Sequence, residues 1–121
     1  MLLWNFTNTH PGDSVNNQVY YIRDLPSKSK GKVKISLSGV SKGVYKLEVY
    51  KVGYKSNDAY ATYLAMGRPN QLTKLQVEQI KKQNDGSPVS TETINVKGNE
   101  VFVKKLELRE NDVYFLNIIK Q

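Results

Sequence analysis

The sequence predicts an all-β fold, an antiparallel β-sandwich with a short two-helix insertion at about residues 57–84. Runs of β-branched and aromatic residues recur along the chain, and turn residues separate them. The segment 57–84 breaks this pattern, because its apolar residues have helical spacing. A chain of 121 residues without internal repeats or a low-complexity linker is long enough for one core. We therefore predict a single β-sandwich domain over residues 1–121.

The first half of the chain contains four strand signals: "LLWNF" (2–6), "NQVYYIRDL" (17–25), "KVKISLSG" (32–39) and "VYKLEVYKVGY" (44–54). In "SKSKGKVKISLSG" lysines alternate with Val33, Ile35 and Leu37, as in a strand with one face in water. In the longest run, alternation places Tyr45, Leu47 and Val49 on one face. We expect both sets of apolar residues to face the core.

The second half contains three strand signals: "VSTETINV" (89–96), "VFVKKLEL" (101–108) and "VYFLNIIK" (113–120). The "KGNE" sequence between the first two predicts a β-hairpin, and "REND" predicts a turn before the last strand. Four glutamates alternate with apolar strand residues, and we expect them to face outward: Glu48, Glu92, Glu100 and Glu107.

The insertion carries start and stop signals for two helices. Asn57 and Asp58 are favourable N-cap residues for the first helix, and Gly67 suits the position after its end. Thr73 followed by Gln76 has the spacing of a capping box and predicts the start of the second helix.

Four apolar residues of the first helix form a candidate interface: Tyr60, Tyr63, Leu64 and Met66. Tyr60, Tyr63 and Leu64 stand at i, i+3 and i+4, which places them on one helical stripe. Helices this short are marginal in water unless other structure covers their apolar face. We interpret the stripe as a contact surface for a partner, and the alternative is that it caps one edge of the sandwich core.

Residues that perform catalysis or bind metal are not indicated. The chain has one histidine, His10, in a turn, and it has no cysteine. Its carboxylates occur singly, whereas glycosidase chemistry needs two that face each other. No glycine-rich phosphate loop is present. We predict no catalytic residue, no metal site and no cofactor.

The formal net charge is +7, from 18 Lys and Arg against 11 Asp and Glu. Apart from the alternating lysines of "SKSKGKVKISLSG", the basic residues are scattered among acids. We therefore predict neither a nucleic-acid partner nor a membrane partner. A polyanion binder stays open as an alternative that retention on heparin would test. No apolar run reaches the ~20 residues of a membrane span, and no signal peptide is evident. We expect a soluble protein, bacterial cytoplasmic or secreted.

Eight tyrosines and one tryptophan raise a second possibility, a stand-alone carbohydrate-binding module of the β-sandwich type. Such a module would show exposed, coplanar rings on one sheet face. Tyr20, Tyr45 and Tyr114 lie instead within strongly apolar runs, which is typical of core rings whose hydroxyl reaches the surface.

The segment "GVYKLEVYKVGYKSNDAYATYLAMGRPNQLTKLQVEQI" resembles the C-terminal region of glycoside hydrolase family 39, the β-xylosidases. That family has a Tyr-rich strand followed by a stretch of the form "SNAY..W..MG.P..PT..Q...L". Here Tyr63 stands in place of the usual Trp, Leu72 in place of a Pro, and Asp58 is an additional polar residue. The matching residues are Ser56, Asn57, Ala59, Tyr60, Met66, Gly67, Pro69, Thr73 and Gln76.

The resemblance implies a C-terminal, non-catalytic accessory β-sandwich without the catalytic barrel of the parent enzyme. Members of the family are retaining enzymes with a glutamate acid/base and a glutamate nucleophile in that barrel, and no residue here matches either motif. The implied parent is a xylan 1,4-β-xylosidase that acts on xylo-oligosaccharides. The implied partner of the candidate interface is the catalytic barrel or a neighbouring subunit.

Overall fold

The computed structural model describes residues 1–7, 26–98 and 102–121, which form a mostly β structure with two short helices. It confirms the predicted antiparallel sandwich with a helical insertion. The predicted strand at 17–25 and the residues His10, Tyr20 and Glu100 lie outside the described residues. The elements are β1 (Leu2–Trp4), β2 (Ser29–Leu37), β3 (Gly43–Val52), α1 (Ala59–Ala65), α2 (Lys74–Gln83), β4 (Ser90–Val96), β5 (Phe102–Arg109) and β6 (Val113–Lys120).

Two sheets build the sandwich. One has four strands in the order β1-β6-β3-β4, the other pairs β2 with β5, and all described pairs are antiparallel. Both sheets contribute to the core, in which Leu47 and Leu116 are almost completely buried. The core cluster consists of Ile35, Leu47, Val49, Leu106, Tyr114 and Leu116.

The predicted core-facing sides of β2 and β3 are confirmed. Tyr45, Leu47 and Val49 are all buried, as alternation in β3 requires. In β2, Ile35 is buried while the lysines between the apolar residues are exposed. The strand thus buries one face and keeps its positive charges in water.

The hairpin predicted at "KGNE" is wrong. β4 pairs with β3 and β5 pairs with β2, so the chain passes from one sheet to the other between β4 and β5. A turn sequence between two apolar runs is compatible with a hairpin and with a connection between two sheets. Here the two strands join different sheets, because both sheets pack on a common core. β3 and β4 do pair with each other, and the helical insertion occupies the loop of that hairpin.

Candidate interface surfaces

Both helices of the insertion begin at the predicted caps. The Asp58 carboxylate accepts a hydrogen bond from the Ala61 amide at 3.0 Å. At α2 the Gln76 amide donates to Thr73 Oγ1 at 3.3 Å, and Gln76 Oε1 accepts from the Thr73 amide at 2.9 Å. These contacts satisfy amides at the helix starts that have no partner within the helix.

Two asparagines tie the insertion to itself and to the sheet. Asn57 Nδ2 donates to the Lys51 carbonyl at 2.9 Å, and Asn57 Oδ1 accepts from the Gly86 amide at 3.1 Å. At the end of α2, Asn84 Nδ2 donates to Thr62 Oγ1 of α1 at 3.1 Å. The two ends of the insertion are therefore held side by side at the end of β3.

The four residues of the candidate interface are all half-buried, and neither helix has a fully buried residue. The Tyr60 and Tyr63 rings stack with their centroids 6.2 Å apart, and the Tyr63 hydroxyl donates to the Pro69 carbonyl at 3.2 Å. Among the described elements each helix packs mainly on the other, and no residue of the insertion belongs to the described set that packs around the sandwich core. The interface role of these side chains stays a prediction.

A cleft of about 410 Å³ opens between the start of α1 and the end of α2. Several of its polar groups, including Asn57, Asp58 and Asn84, already make the hydrogen bonds that hold the insertion together. Two of its lining side chains, Ala61 and Ala65, are short and apolar. The lining consists of Lys55, Asn57, Asp58, Ala61, Thr62, Ala65, Gln83 and Asn84.

The outer face of the four-stranded sheet carries apolar side chains that sequence reasoning missed. Strand register places them in two adjacent rows, Trp4–Val113–Val52 and Leu2–Phe115–Tyr50. The Tyr50 and Phe115 rings are 5.7 Å apart and tilted by 44°. We call the exposed members of these rows the outer patch; they are Leu2, Trp4, Val52, Val113 and Phe115, between 38% and 62% exposed.

The signal for the outer patch is present in the sequence. "LLWNF" and "VYFLNIIK" are apolar at consecutive positions, whereas a strand with one wet face alternates. In β6, Tyr114 and Leu116 fill the core side, so Val113 and Phe115 must point away from it. A run that is apolar on both faces therefore indicates a second surface to cover.

The adjoining part of the outer face is polar and centres on Glu48, and Val44 and Ile119 are exposed beyond it. Glu48 was predicted to be an outward-facing surface group, and this is wrong in one respect: it faces outward but is only 9% exposed. It pairs with Lys46 Nζ at 2.6 Å and accepts from the Tyr50 hydroxyl at 3.0 Å and from Asn117 Nδ2 at 3.3 Å. The Lys46 and Tyr50 bonds hold the pKa of the Glu48 carboxyl below its ordinary value.

The other buried acid, Asp112, sits at the turn before β6. Its Oδ2 pairs with Lys51 Nζ at 3.0 Å and accepts from the Arg109 amide at 2.9 Å. Burial disfavours the Lys51 charge, but hydrogen bonds to Asp112 and Tyr114 outweigh it, and the pKa of Lys51 is raised. Gly53 lies so close to Asp112 Oδ1 that a Cβ would collide with it. Both buried acids are thus engaged in structural contacts.

Within residues 1–7, 26–98 and 102–121, no three His, Cys, Asp or Glu side chains come together in a group that could hold a metal ion. In the same residues neither helix is long and apolar enough to cross a membrane. The predicted core tyrosines Tyr45 and Tyr114 are buried, and their hydroxyls bond Ser41 and the Glu107 carbonyl.

The fold and these surfaces define a β-sandwich module with a helical insertion. It is similar to part of a GH39 enzyme from Xanthomonas axonopodis pv. citri, with 27% identity and a TM-score of 0.85 over 99% of this chain and 23% of that chain. It is also similar to part of a monomeric β-xylosidase from Caulobacter crescentus CB15, with 29% identity and a TM-score of 0.81 over 98% of this chain and 23% of that chain. No protein-family model and no curated protein matches the chain.

These two likenesses confirm the resemblance to the GH39 β-xylosidases. A bacterial orthologue of human α-L-iduronidase shares the fold alone, with 10% identity and a TM-score of 0.68 over 82% of this chain and 19% of that chain. The chain spans about a quarter of the length of the GH39 structures that it matches. It is accordingly similar to a piece of a glycoside hydrolase.

Proposed function

We propose that the chain is the C-terminal, non-catalytic accessory domain of a β-xylosidase-like retaining glycoside hydrolase. The observation that carries this proposal is the likeness of the whole chain to 23% of each of two GH39 structures. The parent enzyme would remove xylose from xylo-oligosaccharides, as in xylan degradation. Its acid/base and nucleophile would lie in a catalytic barrel and outside these 121 residues.

The geometry of the buried acids supports a structural role. Glu48 lies on the outer face of the four-stranded sheet, whereas Asp112 pairs with Lys51 at the end of the sandwich. Glu48 pairs with Lys46 and accepts two further hydrogen bonds, and Asp112 Oδ2 pairs with Lys51 and accepts from the Arg109 amide. Asp112 Oδ1 is buried without a hydrogen-bond partner among the described residues. A retaining glycosidase instead needs two carboxyl groups that face one sugar across a distance of about 5 Å.

The helical insertion is the proposed contact of this domain with the catalytic barrel or with a neighbouring subunit. Tyr60, Tyr63, Leu64 and Met66 are half-buried and lie outside the core of the sandwich. The Tyr60 hydroxyl is buried and has no hydrogen-bond partner among the described residues. A partner surface that covers this helix would bury the remaining apolar area and could supply the missing bond.

The test is turnover of an aryl β-xyloside by the purified chain, with the Caulobacter crescentus β-xylosidase as the positive control at equal molar concentration. We expect no release of the aryl group above the uncatalysed rate. Turnover by the chain that tracks its concentration through a second purification would contradict a non-catalytic role.

A carbohydrate-binding module is the second candidate, because Trp4, Tyr50 and Phe115 lie on one sheet face. The 44° tilt between Tyr50 and Phe115 disfavours it, since a sugar-stacking platform needs coplanar rings. Titration with xylo-oligosaccharides, followed through Trp4 fluorescence, decides the matter. A saturable change that Phe115→Ala abolishes, with Trp4 kept as the probe, would favour the binding module over the accessory role.

A further inference from the structure

We propose that the outer face of the two-stranded sheet binds a polysaccharide that carries carboxylate groups, namely a xylan with uronic acid side groups. Three lysines carry this inference, Lys32 and Lys34 of β2 and Lys105 of β5, and we call them the basic face. The choice of xylan rests on the proposed function, whereas the negative charge of the ligand follows from the basic face alone.

The net positive charge of the chain is concentrated on this sheet. The segments 28–37 and 102–110, which contain β2 and β5, hold seven of the 18 basic residues and two of the 11 acidic ones. Seven positive and two negative charges leave +5 of the chain's net charge of +7. Charges of one sign on one surface add up to a field that attracts oppositely charged ligands. The sheet of β2 and β5 is therefore suited to an anionic partner.

Strand alternation and register place the basic face away from the core. In β2, Lys34 is exposed and the next residue, Ile35, is buried; in β5, Lys105 is exposed and Leu106 is buried. Lys32 stands two residues before Lys34 and is also exposed, so it shares the outer face. Positions related in these ways lie between about 5 and 8 Å apart. Three ammonium groups can thus reach one short stretch of a polymer.

The charges of the basic face are not balanced by the described residues. Lys34 stands directly opposite Lys105, and like charges in that position destabilise a sheet. Glu107, which stands opposite Lys32, offsets part of the charge and lies 4.0 Å from Arg109. The ion pairs that this sheet makes among the described residues use its other cations, which are Lys30, Lys104 and Arg109. A carboxylate between Lys34 and Lys105 would replace their repulsion by two attractions.

The outer face of this sheet favours a sparsely charged polymer over a nucleic acid. Its described outward positions hold no aromatic ring on which a base could stack. Duplex DNA carries a charge for about every 1.7 Å of its length, and proteins that bind it neutralise many phosphates together. A substituted xylan carries its carboxylates on separate side groups, so a cluster of three lysines matches one or two of them.

The proposed function supplies the class of polymer. The backbone of xylan is neutral, and uronic acid side groups give the chain its negative charge. Attraction by exposed lysines is screened within about 10 Å at ordinary salt, so it would raise the local concentration of the polymer without holding it tightly. Released xylose is neutral and would not be retained.

The experiment measures binding of the full 121-residue chain to uronate-substituted xylan and to the same xylan after its carboxyl groups have been reduced to alcohols. We expect the dissociation constant to be at least about tenfold higher for the reduced polymer, because the reduction removes the charge and keeps the sugar backbone. Raising the salt concentration should weaken binding to the substituted xylan only. Poly(U) at equal charge concentration should bind less tightly than the substituted xylan.

Two double variants with the same net charge locate the contact. Lys34→Glu with Lys105→Glu changes the basic face, and Lys74→Glu with Lys82→Glu changes exposed lysines of the insertion. Each pair lowers the net charge from +7 to +3, since each replacement changes it by two. We expect the first pair to weaken binding at least about tenfold and the second less than about threefold.

A single variant separates binding from folding. Lys34→Glu places a carboxylate opposite Lys105, so the chain should unfold at an equal or higher temperature and still bind the substituted xylan more weakly. Far-UV circular dichroism of every variant checks that the fold is retained.

Four results would overturn the proposal: no binding to the substituted xylan, equal binding to the reduced xylan, equal losses in the two double variants, or tighter binding to poly(U). None of these measurements reads turnover, so the proposal can fail while the chain remains inactive on an aryl β-xyloside. Conversely, turnover of that substrate would contradict the non-catalytic role and leave the binding results unchanged.

Discussion

The sandwich and its helical insertion are stabilised in different ways. The sandwich has a continuous core in which Leu47 and Leu116 are almost fully removed from water. The insertion has no fully buried residue in either helix, and its order depends on caps and on a few side-chain hydrogen bonds. Burial of apolar surface is the main source of folding free energy, whereas short helices are marginal in isolation. We therefore expect the sandwich to be stable by itself and the insertion to be an attached, less stable part.

The largest expected effect comes from the buried acid of the sandwich. Asp112→Ala leaves the Lys51 ammonium without its carboxylate, and we expect it to lower the free energy of unfolding by about 3 kcal/mol. Urea denaturation measures the change. The control is Glu78→Ala in the insertion, which removes an exposed pair with Lys81 and should cost less than about 0.5 kcal/mol. Similar losses for both variants would contradict the distinction between the two regions.

The next comparison replaces one leucine by alanine in the sandwich and one in the insertion. Leu47→Ala leaves a cavity in the core and should cost about 3 kcal/mol in urea denaturation. Leu64→Ala acts on a half-buried side chain of α1 and should cost about 1 kcal/mol or less. If Leu64→Ala were as costly as Leu47→Ala, the insertion would have to be an integral part of the folding unit.

The capping box gives a smaller effect that is confined to α2. Thr73→Ala removes the oxygen that accepts from the Gln76 amide and should destabilise the helix by about 1 kcal/mol. Hydrogen exchange of the α2 amides measures it, and Thr73→Ser, which keeps the hydroxyl, is the control. An equal loss of protection throughout β3 and β6 would show that the cap acts on the whole fold.

The smallest effect is the pH dependence contributed by the polar outer face. Because the pKa of Glu48 is lower in the folded chain than its ordinary value of 4.5, its stabilising contribution is present above that value. It is lost as the pH falls through the lowered folded-state pKa. Hydrogen bonds from the Lys28 amide and Lys30 lower the pKa of Glu110 in the same direction.

Thermal unfolding at neutral and acidic pH measures this dependence. The unmodified chain should lose stability on acidification, and Glu48→Gln should lose less, because the substituted side chain does not titrate. If the Glu48→Gln variant lost as much stability on acidification as the unmodified chain, titration of Glu48 would not be a cause of that loss.

Local sequence signals predicted the local structure well. Alternation gave the buried face of β3, and the cap residues gave the starts of α1 and α2, because both patterns act over a few neighbouring residues. Which strands pair with each other could be predicted less well from the sequence. β4 and β5, on either side of the "KGNE" sequence, lie in different sheets, and this depends on pairing between β2 and β5, which are far apart in sequence. Tertiary packing therefore determines which strands pair.

The surfaces were predicted only in part. The stripe on α1 follows from helical spacing, but the outer patch depends on the register that sets Trp4 beside Val113 and Val113 beside Val52. The burial of Glu48 depends in the same way on Asn117 from a neighbouring strand and on Tyr50. Contacts across strands cannot be inferred from alternation within one strand, which explains both omissions.

Native-state hydrogen exchange of the free 121-residue chain tests the central claim most directly, namely that the sandwich is stable by itself while the insertion is held more weakly. We predict that amides of β3 and β6 exchange only through global unfolding, and that amides of α1 and α2 exchange through local opening at much lower free energy. The two classes should respond differently to low urea concentrations. A single exchange free energy for the strands and both helices would contradict the account, because the insertion would then be as self-sufficient as the sandwich.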